Sequence, residues 1–354
     1  MKINYDEELS LVSGILRAAD FSAEDAEIIA KVISHSDFTG VYSHGLSRLT
    51  RYLRQIRNGA LNAHPNFQVV LDKEAVTVVD GDNGSGIVTM NKAYDLTIEK
   101  ARKYGIAITT GRHNANIGCG SYYGWRAAED NLIGLFGCNT YAFTSPFGGA
   151  DRLIGTNPII AAVPAKEEYP MVLDISTTHV AMGKIQAAER EGQAIPESWA
   201  KDYDGVPTTD PSKAFSLSPI AAHKGYGLAV MVDALSTMLS NACYGTDIGL
   251  FSKLEPENTG FFMILIDPEM FMPIDIFTAN TDRYIRMMKN SRKASAVSEI
   301  FMPGELEFKK LDTMKADGFN VSDALMAELT ELSIALGAIE SGSSFSDMLK
   351  HFSK

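Results

Sequence analysis

Apolar residues repeat with two different periods along the chain. Over about the first 60 residues the period is that of a helix. One helix is predicted to follow Ser22, a capping residue, and a second to begin near Ser43 and to end at Asn58-Gly59. From about residue 66 the apolar residues instead form short β-branched runs ended by glycine or aspartate, which are typical of strands.

These strand-like runs alternate with helical stretches around residues 91–103 and 122–130. The runs lie at 67–72, 75–82, 105–111, 132–139, 159–165 and 169–176. The last three are almost continuously apolar, as expected of strands that are buried on both faces. The alternation predicts an α/β fold with a mixed sheet, flanking helices and a helical N-terminal segment.

Three further segments complete the predicted organisation. Lys224-Gly225-Tyr226-Gly227 opens a long apolar helix, and residues 314–354 are again helical with one polar side. The stretch from 190 to 220 contains four prolines and is the longest irregular part of the chain. It is either a lid over an active site or a plain surface loop.

Composition and charge narrow the class of protein. The chain has 354 residues, of which 45% are hydrophobic and 21% charged, so disordered and collagen-like proteins are excluded and two or three domains are expected. The formal net charge of −12 argues against nucleic acid or an anionic membrane as a partner. The three cysteines form no CxxC pair, and neither a secretory signal nor a membrane-spanning run is recognisable. We therefore expect a cytoplasmic protein.

The strongest cluster of chemically active residues lies in the second helical pattern. On a helix that begins at Ser43, the residues His44, Arg48 and Tyr52 lie four apart on one face, while leucines line another. An arginine can hold a carboxylate through two parallel hydrogen bonds, and a histidine can exchange a proton with a hydroxyl or carbonyl oxygen. The helix dipole is expected to lower the pKa of His44. The alternative is a solvent-exposed amphipathic helix without a ligand.

Two weaker signals are compatible with anions or ribose. Free backbone N–H groups at the helix that begins near 224–227 would attract phosphate or carboxylate, or the glycines form a plain turn before a core helix. The polar residues 174–179 follow a predicted strand, where α/β proteins often bind ligands, although a polar strand exit explains them equally well. Turn chemistry alone explains the loops at 146–149 and 155–158.

Two common kinds of site are not indicated. The usual dinucleotide-binding signature is missing, because residues 118–124 space their glycines as GxGxxxG and do not directly follow a predicted strand. No zinc, calcium or P-loop motif occurs, and the seven histidines are scattered, so no metal site is predicted.

Several blocks, taken together and in this order, resemble the type 2 malate/L-lactate dehydrogenase family of NAD(P)-dependent oxidoreductases. That family includes ureidoglycolate dehydrogenase, 2,3-diketo-L-gulonate reductase and sulfolactate dehydrogenase. The blocks are VYSHGLSRLTRYL (41–53), PFGG and IGTNP (146–158), MVLDISTT with MGKI (171–185), IPESWAKDYDGVPTTDP (195–211), KGYGLAVMVDAL (224–235) and MPGE (302–305).

The resemblance implies a non-Rossmann α/β fold that binds NAD or NADP in a groove between domains, and a homodimer with the site near the subunit interface. We expect an N-terminal part at 1–118, a cofactor-binding part at 119–300 and a C-terminal segment at 301–354 that returns to the first part. His44 would be the proton donor and acceptor, with Ser43, Arg48 and Tyr52 beside the substrate. The implied cofactor contacts are Thr140, Asp174, Ile175, Ser176, His179, Lys224, Gly225, Pro303, Gly304 and Glu305.

One position departs from the family pattern. Many members carry a second active-site histidine in an Asn-His-Phe/Ser-Gly stretch, where this chain reads Asn-Ala-Asn-Ile-Gly at 114–118. Asn116 can hydrogen-bond a substrate oxygen but cannot take its proton. The acid–base work is therefore expected to fall on His44.

The expected reaction transfers a hydride between nicotinamide and C2 of a small 2-hydroxy/2-oxo carboxylate of malate or lactate type. Alternatives within the family are a ureidoglycolate dehydrogenase, a 2,3-diketo-L-gulonate reductase and a cyclic imino-acid reductase. Outside enzymes, the alternative is an inactive cofactor-binding homologue. No local pattern selects NAD over NADP.

Overall fold

The computed structural model describes residues 1–250 and 255–352. Within them the helices are α1 (Tyr5–Ala18), α2 (Ala23–Thr39), α3 (Leu46–Arg57), α4 (Gly86–Tyr104), α5 (Gly120–Glu129), α6 (Met182–Glu191), α7 (His223–Asp233), α8 (Ile274–Lys289), α9 (Glu305–Asp317), α10 (Asp323–Ala335) and α11 (Phe345–Phe352). The strands are β1 (Lys2–Ile3), β2 (Gln68–Lys73), β3 (Val76–Gly84), β4 (Ile106–Asn114), β5 (Ile133–Cys138), β6 (Ile159–Val163), β7 (Met171–Ile175), β8 (Ala200–Lys201), β9 (Ser216–Leu217), β10 (Thr259–Ile266) and β11 (Phe319–Asn320).

Seven strands form one mixed sheet in the order β2-β3-β4-β10-β5-β6-β7. Only β3 and β4 are parallel among these neighbours, and α4 provides the crossover that a parallel pair requires. The other pairs are antiparallel. The core beneath α4 and α5 contains large, fully buried side chains such as Tyr94, Tyr123, Phe136 and Phe261. The mixed sheet with flanking helices confirms the predicted fold class.

The N-terminal and C-terminal helices form one helical layer. Ser22 accepts a hydrogen bond from the Asp25 N–H at 3.0 Å and so caps α2, as predicted. The apolar faces of α1, α2 and α3 pack with those of α9, α10 and α11 in a shared core. β1 pairs with β11 and joins the two ends of the chain. The predicted helical N-terminal segment is confirmed. The predicted boundaries between the three parts of the chain, after residues 118 and 300, stay a prediction.

The second predicted helix begins later than expected. Tyr42–His44 form a separate 3₁₀ turn, and α3 begins at Leu46. Between them Gly45 is not helical, with φ −88° and ψ −146°. The prediction of one continuous helix from Ser43 is therefore wrong, and the histidine does not stack above Arg48 and Tyr52 as one helix face.

The predicted strands are present, but the expected burial is wrong for two of them. In β6 buried and half-buried residues alternate, and in the edge strand β7 only Val172 is buried. The strand that is buried almost throughout is β10, which the sequence analysis did not predict. It lies at the centre of the sheet and also contacts a π-helical segment, Ala234–Met238.

The apolar helix predicted after residue 224 is present as α7, which continues into the π-helical segment. It is not a core helix, because the apolar side chains Leu228, Met231, Met238 and Leu239 are between 42% and 69% exposed. The irregular stretch at 190–220 contains the antiparallel pair β8–β9 and packs with α6 around a small apolar cluster. No helix in the described part of the chain is long and apolar enough to cross a membrane.

Candidate active site

A cavity of about 430 Å³ is bounded by α2, the 3₁₀ turn, the segment that leads into α5, the ends of β5 and β7, and the start of α9. The residues of its wall that were predicted from the sequence are Ser43, His44, Asn116, Thr140, Asp174, Ile175, Ser176, Pro303 and Gly304. The named residues that lie outside this wall are Arg48, Tyr52, His179, Lys224, Gly225 and Glu305. The fold thus brings together segments that are far apart in the sequence.

His44 is held as a neutral imidazole. Its ring keeps some accessible surface at the cavity, but protein surrounds most of it, and this burial lowers its pKa to about 3 with help from the positive charges of Arg48 and Arg51. The predicted lowering is confirmed, whereas its cause is burial rather than the helix dipole. Nδ1 lies 3.0 Å from the Ser43 hydroxyl, so Nε2 is the nitrogen left for a ligand.

The buried carboxylate of Asp37 fixes the two residues that follow His44, which are Gly45 and Leu46. Asp37 Oδ2 accepts the Leu46 N–H at 2.5 Å at the first turn of α3. Gly45 is required at the junction, because a Cβ there would lie 2.0 Å from Asp37 Oδ1. This contact explains why the 3₁₀ turn and α3 are separate elements.

Arg48 forms no direct ion pair with a described residue, although the charge of Glu257 acts on it from farther away. Its guanidinium makes no ion pair or hydrogen bond with any described residue, and its buried Nε has no acceptor. Burial lowers the pKa of Arg48. The next arginine on α3 differs, because Arg51 forms an ion pair with the buried Glu257 at 2.6 Å and a hydrogen bond with the Tyr141 hydroxyl. One uncompensated positive charge therefore remains near His44.

Asn116 presents an amide to the cavity. Its Oδ1 accepts the Gly118 N–H at 2.9 Å and the Tyr52 hydroxyl at 3.3 Å. The NH₂ group makes no hydrogen bond with a described residue and stays available as a donor. Tyr52 is buried and does not line the cavity. It contacts the cavity residue Asn116 through the hydrogen bond from its hydroxyl group.

Asp174 is an acidic residue of the same cavity wall. Its Oδ2 accepts the Ser121 N–H at the start of α5 at 2.7 Å. The carboxylate keeps accessible surface at the cavity, yet the protein around it raises its pKa to about 6. Nearby hydroxyls belong to Thr140 and Ser176. Thr140 Oγ1 accepts the Thr156 N–H at 2.9 Å, and this ties the IGTNP segment to the wall.

His179, Lys224 and Gly225 lie on two backbone segments joined to each other beside the cavity. The His179 N–H donates to the Ser218 carbonyl at 3.1 Å, and the Ile220 N–H donates to the Thr177 carbonyl at 2.9 Å. Gly225 packs so closely on Ile220 that a Cβ would meet its carbonyl oxygen at 2.2 Å. Lys224 is exposed at the N-terminus of α7.

The start of α9 closes the cavity next to β7. The Pro303 carbonyl accepts the Val172 N–H at 2.9 Å. Gly304 has φ +84°, and a Cβ there would lie 2.8 Å from the Val172 carbonyl oxygen. Glu305 turns away toward Lys289 and Lys309. Although burial raises the pKa of Glu305, hydrogen bonds from these lysines lower it to about 2.

Several wall residues were not found from the sequence. The aromatic part of the wall consists of Trp125 and Phe308, with ring centroids 6.4 Å apart, and His35, which stacks on Trp125 at 4.9 Å. Glu307 adds a second acidic side chain. Trp125 and His35 come from helix interiors, where helical spacing alone does not distinguish a cavity wall from ordinary core.

A nicotinamide dinucleotide fits the donor set of this cavity. The inward-facing carboxylate of Asp174 and the hydroxyls of Thr140 and Ser176 suit ribose, and the rings of Trp125 and Phe308 offer apolar faces to a base. The volume lies in the range of small-molecule sites.

The fold points first to a class of enzyme. The largely antiparallel sheet differs from the doubly wound parallel sheet common among nicotinamide-binding proteins. It is shared with the solved structure of sulfolactate dehydrogenase from Methanocaldococcus jannaschii, with a TM-score of 0.91 and 34% identity over 98% of this chain and 99% of that one. The class is therefore that of the dehydrogenases with this fold.

The chain belongs to the malate/L-lactate dehydrogenase family, whose model matches residues 3–330. It is 35% identical to malate dehydrogenase of Pyrococcus abyssi over 347 residues, which cover 95% of each chain. It is 30% identical to ureidoglycolate dehydrogenase (NAD(+)) of Escherichia coli over 91% of this chain and 93% of that one. The predicted family and an oxidoreductase acting on CH–OH donors are confirmed.

Proposed function

We propose that this chain is an NAD(P)-dependent dehydrogenase that interconverts a small 2-hydroxy acid and its 2-oxo acid, of malate or lactate type. The observation that carries the proposal is the unpaired guanidinium of Arg48 near His44. The buried Nε of Arg48 lacks an acceptor, which is costly, and a substrate carboxylate would supply a partner for the guanidinium.

The protein's own part in the reaction is the proton transfer. In the tautomer whose Nδ1–H donates to the Ser43 hydroxyl, Nε2 of His44 would carry the lone pair that accepts the proton of a substrate alcohol. The Asn116 NH₂ group would donate a hydrogen bond to the same oxygen. The nicotinamide, when bound by the Asp174 wall, supplies or accepts the hydride at C4.

Substrate binding would also adjust the base. The positive charge of Arg48 contributes to the low pKa of His44. A carboxylate bound at Arg48 would cancel that charge and raise the pKa of His44 toward the working range of a general base. The arginine thus both holds the acid and prepares the histidine.

The test is the absorbance of reduced nicotinamide with a panel of substrates. The panel contains pyruvate, oxaloacetate, a sulfonated 2-oxo acid, a diketogulonate and a cyclic imino acid, with ureidoglycolate for the oxidised cofactors. We expect turnover with a 2-oxo acid. Turnover with the cyclic imino acid and with no other substrate would contradict the proposed substrate class. No turnover with any substrate, together with no binding of cofactor, would contradict the assignment as a dehydrogenase.

His44→Ala tests the assigned proton donor. We expect turnover to fall about 10²- to 10⁴-fold while the fluorescence of bound reduced cofactor persists. His64→Ala is the matched control, because His64 is an exposed histidine that pairs with Asp20. Equal turnover in the two variants would show that His44 does not carry the proton.

We further propose NAD as the preferred cofactor. Among the described wall residues, Asp174 and Glu307 are acidic and none is lysine or arginine. A carboxylate accepts hydrogen bonds from a ribose hydroxyl but repels the additional phosphate of NADP. We expect NADH to bind at least about tenfold more tightly than NADPH in a fluorescence titration. Equal affinity would contradict this preference.

A homodimer in the cytoplasm completes the proposal. The exposed apolar side chains of α7 and of the segment after it support an interface with a second copy. The three unpaired cysteines support a reducing compartment.

A further inference from the structure

Two carboxyl groups are buried together beneath the turn that carries His44. Glu8 on α1 is 0% exposed and Asp37 on α2 is 2% exposed. Neither forms an ion pair with a described lysine, arginine or histidine. Burial raises the pKa of Glu8 and raises that of Asp37 to about 6, and the charge of Asp37 raises the pKa of Glu8 further. The reaction as described above uses neither group.

Hydrogen bonding assigns different states to the two groups. Asp37 accepts the Leu46 N–H, which requires no proton on that oxygen. Neither carboxyl oxygen of Glu8 has a hydrogen-bond donor among the described residues, and the charge of Asp37 acts on the Glu8 carboxyl group. Two ionised carboxylates in contact would repel each other in a buried site. Because Asp37 has a backbone donor and Glu8 has none, we infer that Glu8 carries the shared proton and donates it to the Asp37 carboxylate.

The pair acts on the residues next to the base. Leu46 begins α3, and Gly45 lies between it and His44, with the space for a Cβ taken by the Asp37 carboxylate. A negative charge at this point also stabilises the N-terminus of α3 through the helix dipole. Arg48 lies on the first turn of the same helix, so both groups of the proposed reaction depend on how α3 begins.

We propose that Glu8 and Asp37 are positioning residues that share one proton and hold the start of α3, so that His44 and Arg48 face the substrate together. The inference rests on the proposed function for its catalytic consequence. Its structural part, a neutral Glu8 that donates to Asp37, does not depend on the proposed function.

The experiment compares Glu8→Gln with Glu8→Leu. The amide of glutamine keeps a hydrogen-bond donor to Asp37, whereas leucine has similar bulk and no donor. We expect kcat, expressed per cofactor-binding site, to stay within about threefold for E8Q and to fall about 10- to 100-fold for E8L. The dissociation constant of reduced cofactor should change less than about twofold in both, because Glu8 is absent from the cavity wall.

A purely structural role gives a different pattern. It would lower the thermal midpoint and the fraction of binding sites in E8L, but not kcat per site. Wild-type kcat per site in E8L would overturn the proposal, and so would an equal loss in E8Q and E8L. Asp37→Asn, which can still accept the Leu46 N–H and is expected to retain the cofactor site, replaces E8L if that variant does not fold. It removes the negative charge at α3, and unchanged kcat per site would then overturn the proposal.

An NMR measurement that does not depend on turnover distinguishes a failure of this proposal from a failure of the proposed function. The imidazole NMR signals of His44, assigned through His44→Gln, are expected to shift in E8L and to stay in place in E8Q. If the wild type is inactive on the whole panel, the proposed function fails while this measurement still decides the placement of His44. Unmoved signals in E8L would overturn the inference whatever the activity.

Discussion

Arg48 and Arg51 are three positions apart on one helix but differ in their partners. Glu257 forms a direct ion pair with Arg51, whereas Arg48 forms no ion pair with a described residue and its buried Nε has no acceptor. Arg48→Gln is therefore expected to raise the KM for the 2-oxo acid, with kcat/KM lower by about 100-fold, since a hydrogen-bonded charge pair contributes about 1.5–3 kcal/mol.

The control for this prediction lies on the same helix. Arg54 is about half exposed and pairs with Glu328 at the surface, where an ion pair contributes little. Steady-state kinetics of Arg54→Gln should match the wild type. Similar kinetics in the two variants would remove the support for a carboxylate clamp at Arg48.

His35 gives a prediction for stability against pH. Burial, with a smaller contribution from Lys315, lowers its pKa to about 3, compared with 6.5 for an exposed histidine. Between these two pH values His35 is protonated in the unfolded chain but neutral in the native state. Stability is therefore lost as the pH falls from about 6.5 toward 3, by up to about 1.4 kcal/mol per pH unit from this residue.

His35→Phe removes this titration and keeps a ring against Trp125. In urea unfolding at pH 7 and pH 5, the variant should lose less stability than the wild type over that interval. The exposed His64→Phe should lose as much as the wild type. An unchanged difference between the two pH values in His35→Phe would show that the buried imidazole does not titrate as described.

At the scale of elements, the junction between the 3₁₀ turn and α3 is the most sensitive point. In Gly45→Ala a Cβ would lie 2.0 Å from the Asp37 carboxylate, so the carboxylate or the turn must move. We expect a loss of about 2 kcal/mol or more in stability and of most turnover. Urea unfolding and the nicotinamide assay measure the two effects.

Gly183→Ala is the matched control for this substitution. Gly183 lies in α6, and a Cβ there would meet no atom within 4 Å. Alanine in a helix is favoured over glycine by about 0.8–1.0 kcal/mol, so this variant should be slightly more stable and fully active. Equal behaviour of the two variants would contradict the close packing at Gly45.

The limits of prediction from sequence also show at the scale of elements. Ser22 and the strands β2–β7 were predicted because caps and β-branched runs are local signals. The start of α3 was not, since it depends on Asp37, whose contact with Leu46 exists only in the folded chain. β10 was missed although it is strongly apolar, because periodicity alone does not distinguish a continuous apolar run in a strand from a buried segment of helix.

The residues of the candidate site also fall into two groups, those that were predicted from the sequence and those that were not. His44 and Asp174 lie in blocks that the family resemblance pointed out, and the structure places both in one wall. Glu257 and Trp125 lie in no such block. Their roles follow from contacts with segments far away in sequence, such as that of Glu257 with Arg51.

At the scale of the whole molecule, the exposed apolar face of α7 is one feature that a lone subunit does not explain. Leu228 and Met231 are three positions apart on α7, 42% and 59% exposed, and the segment after it adds Met238 and Leu239. A contiguous face of this kind typically marks an interface, and a homodimer is the commonest closed assembly. Because α7 begins at His223 and Lys224 is its second residue, a second copy bound to α7 would lie beside the proposed cofactor contact Lys224.

Met231→Glu tests this assembly, with Met287→Glu as the control. Met287 on α8 is 58% exposed, so the two variants introduce the same charge at equally accessible methionines. In sedimentation velocity we expect a dimer for the wild type and for Met287→Glu, and a monomer for Met231→Glu, since a buried unpaired charge disfavours association. A dimer in Met231→Glu and a monomer in Met287→Glu would move the interface to α8. If the assembly completes the site, the monomeric variant should also lose turnover, and the loss should diminish as its concentration is raised, because mass action restores the dimer.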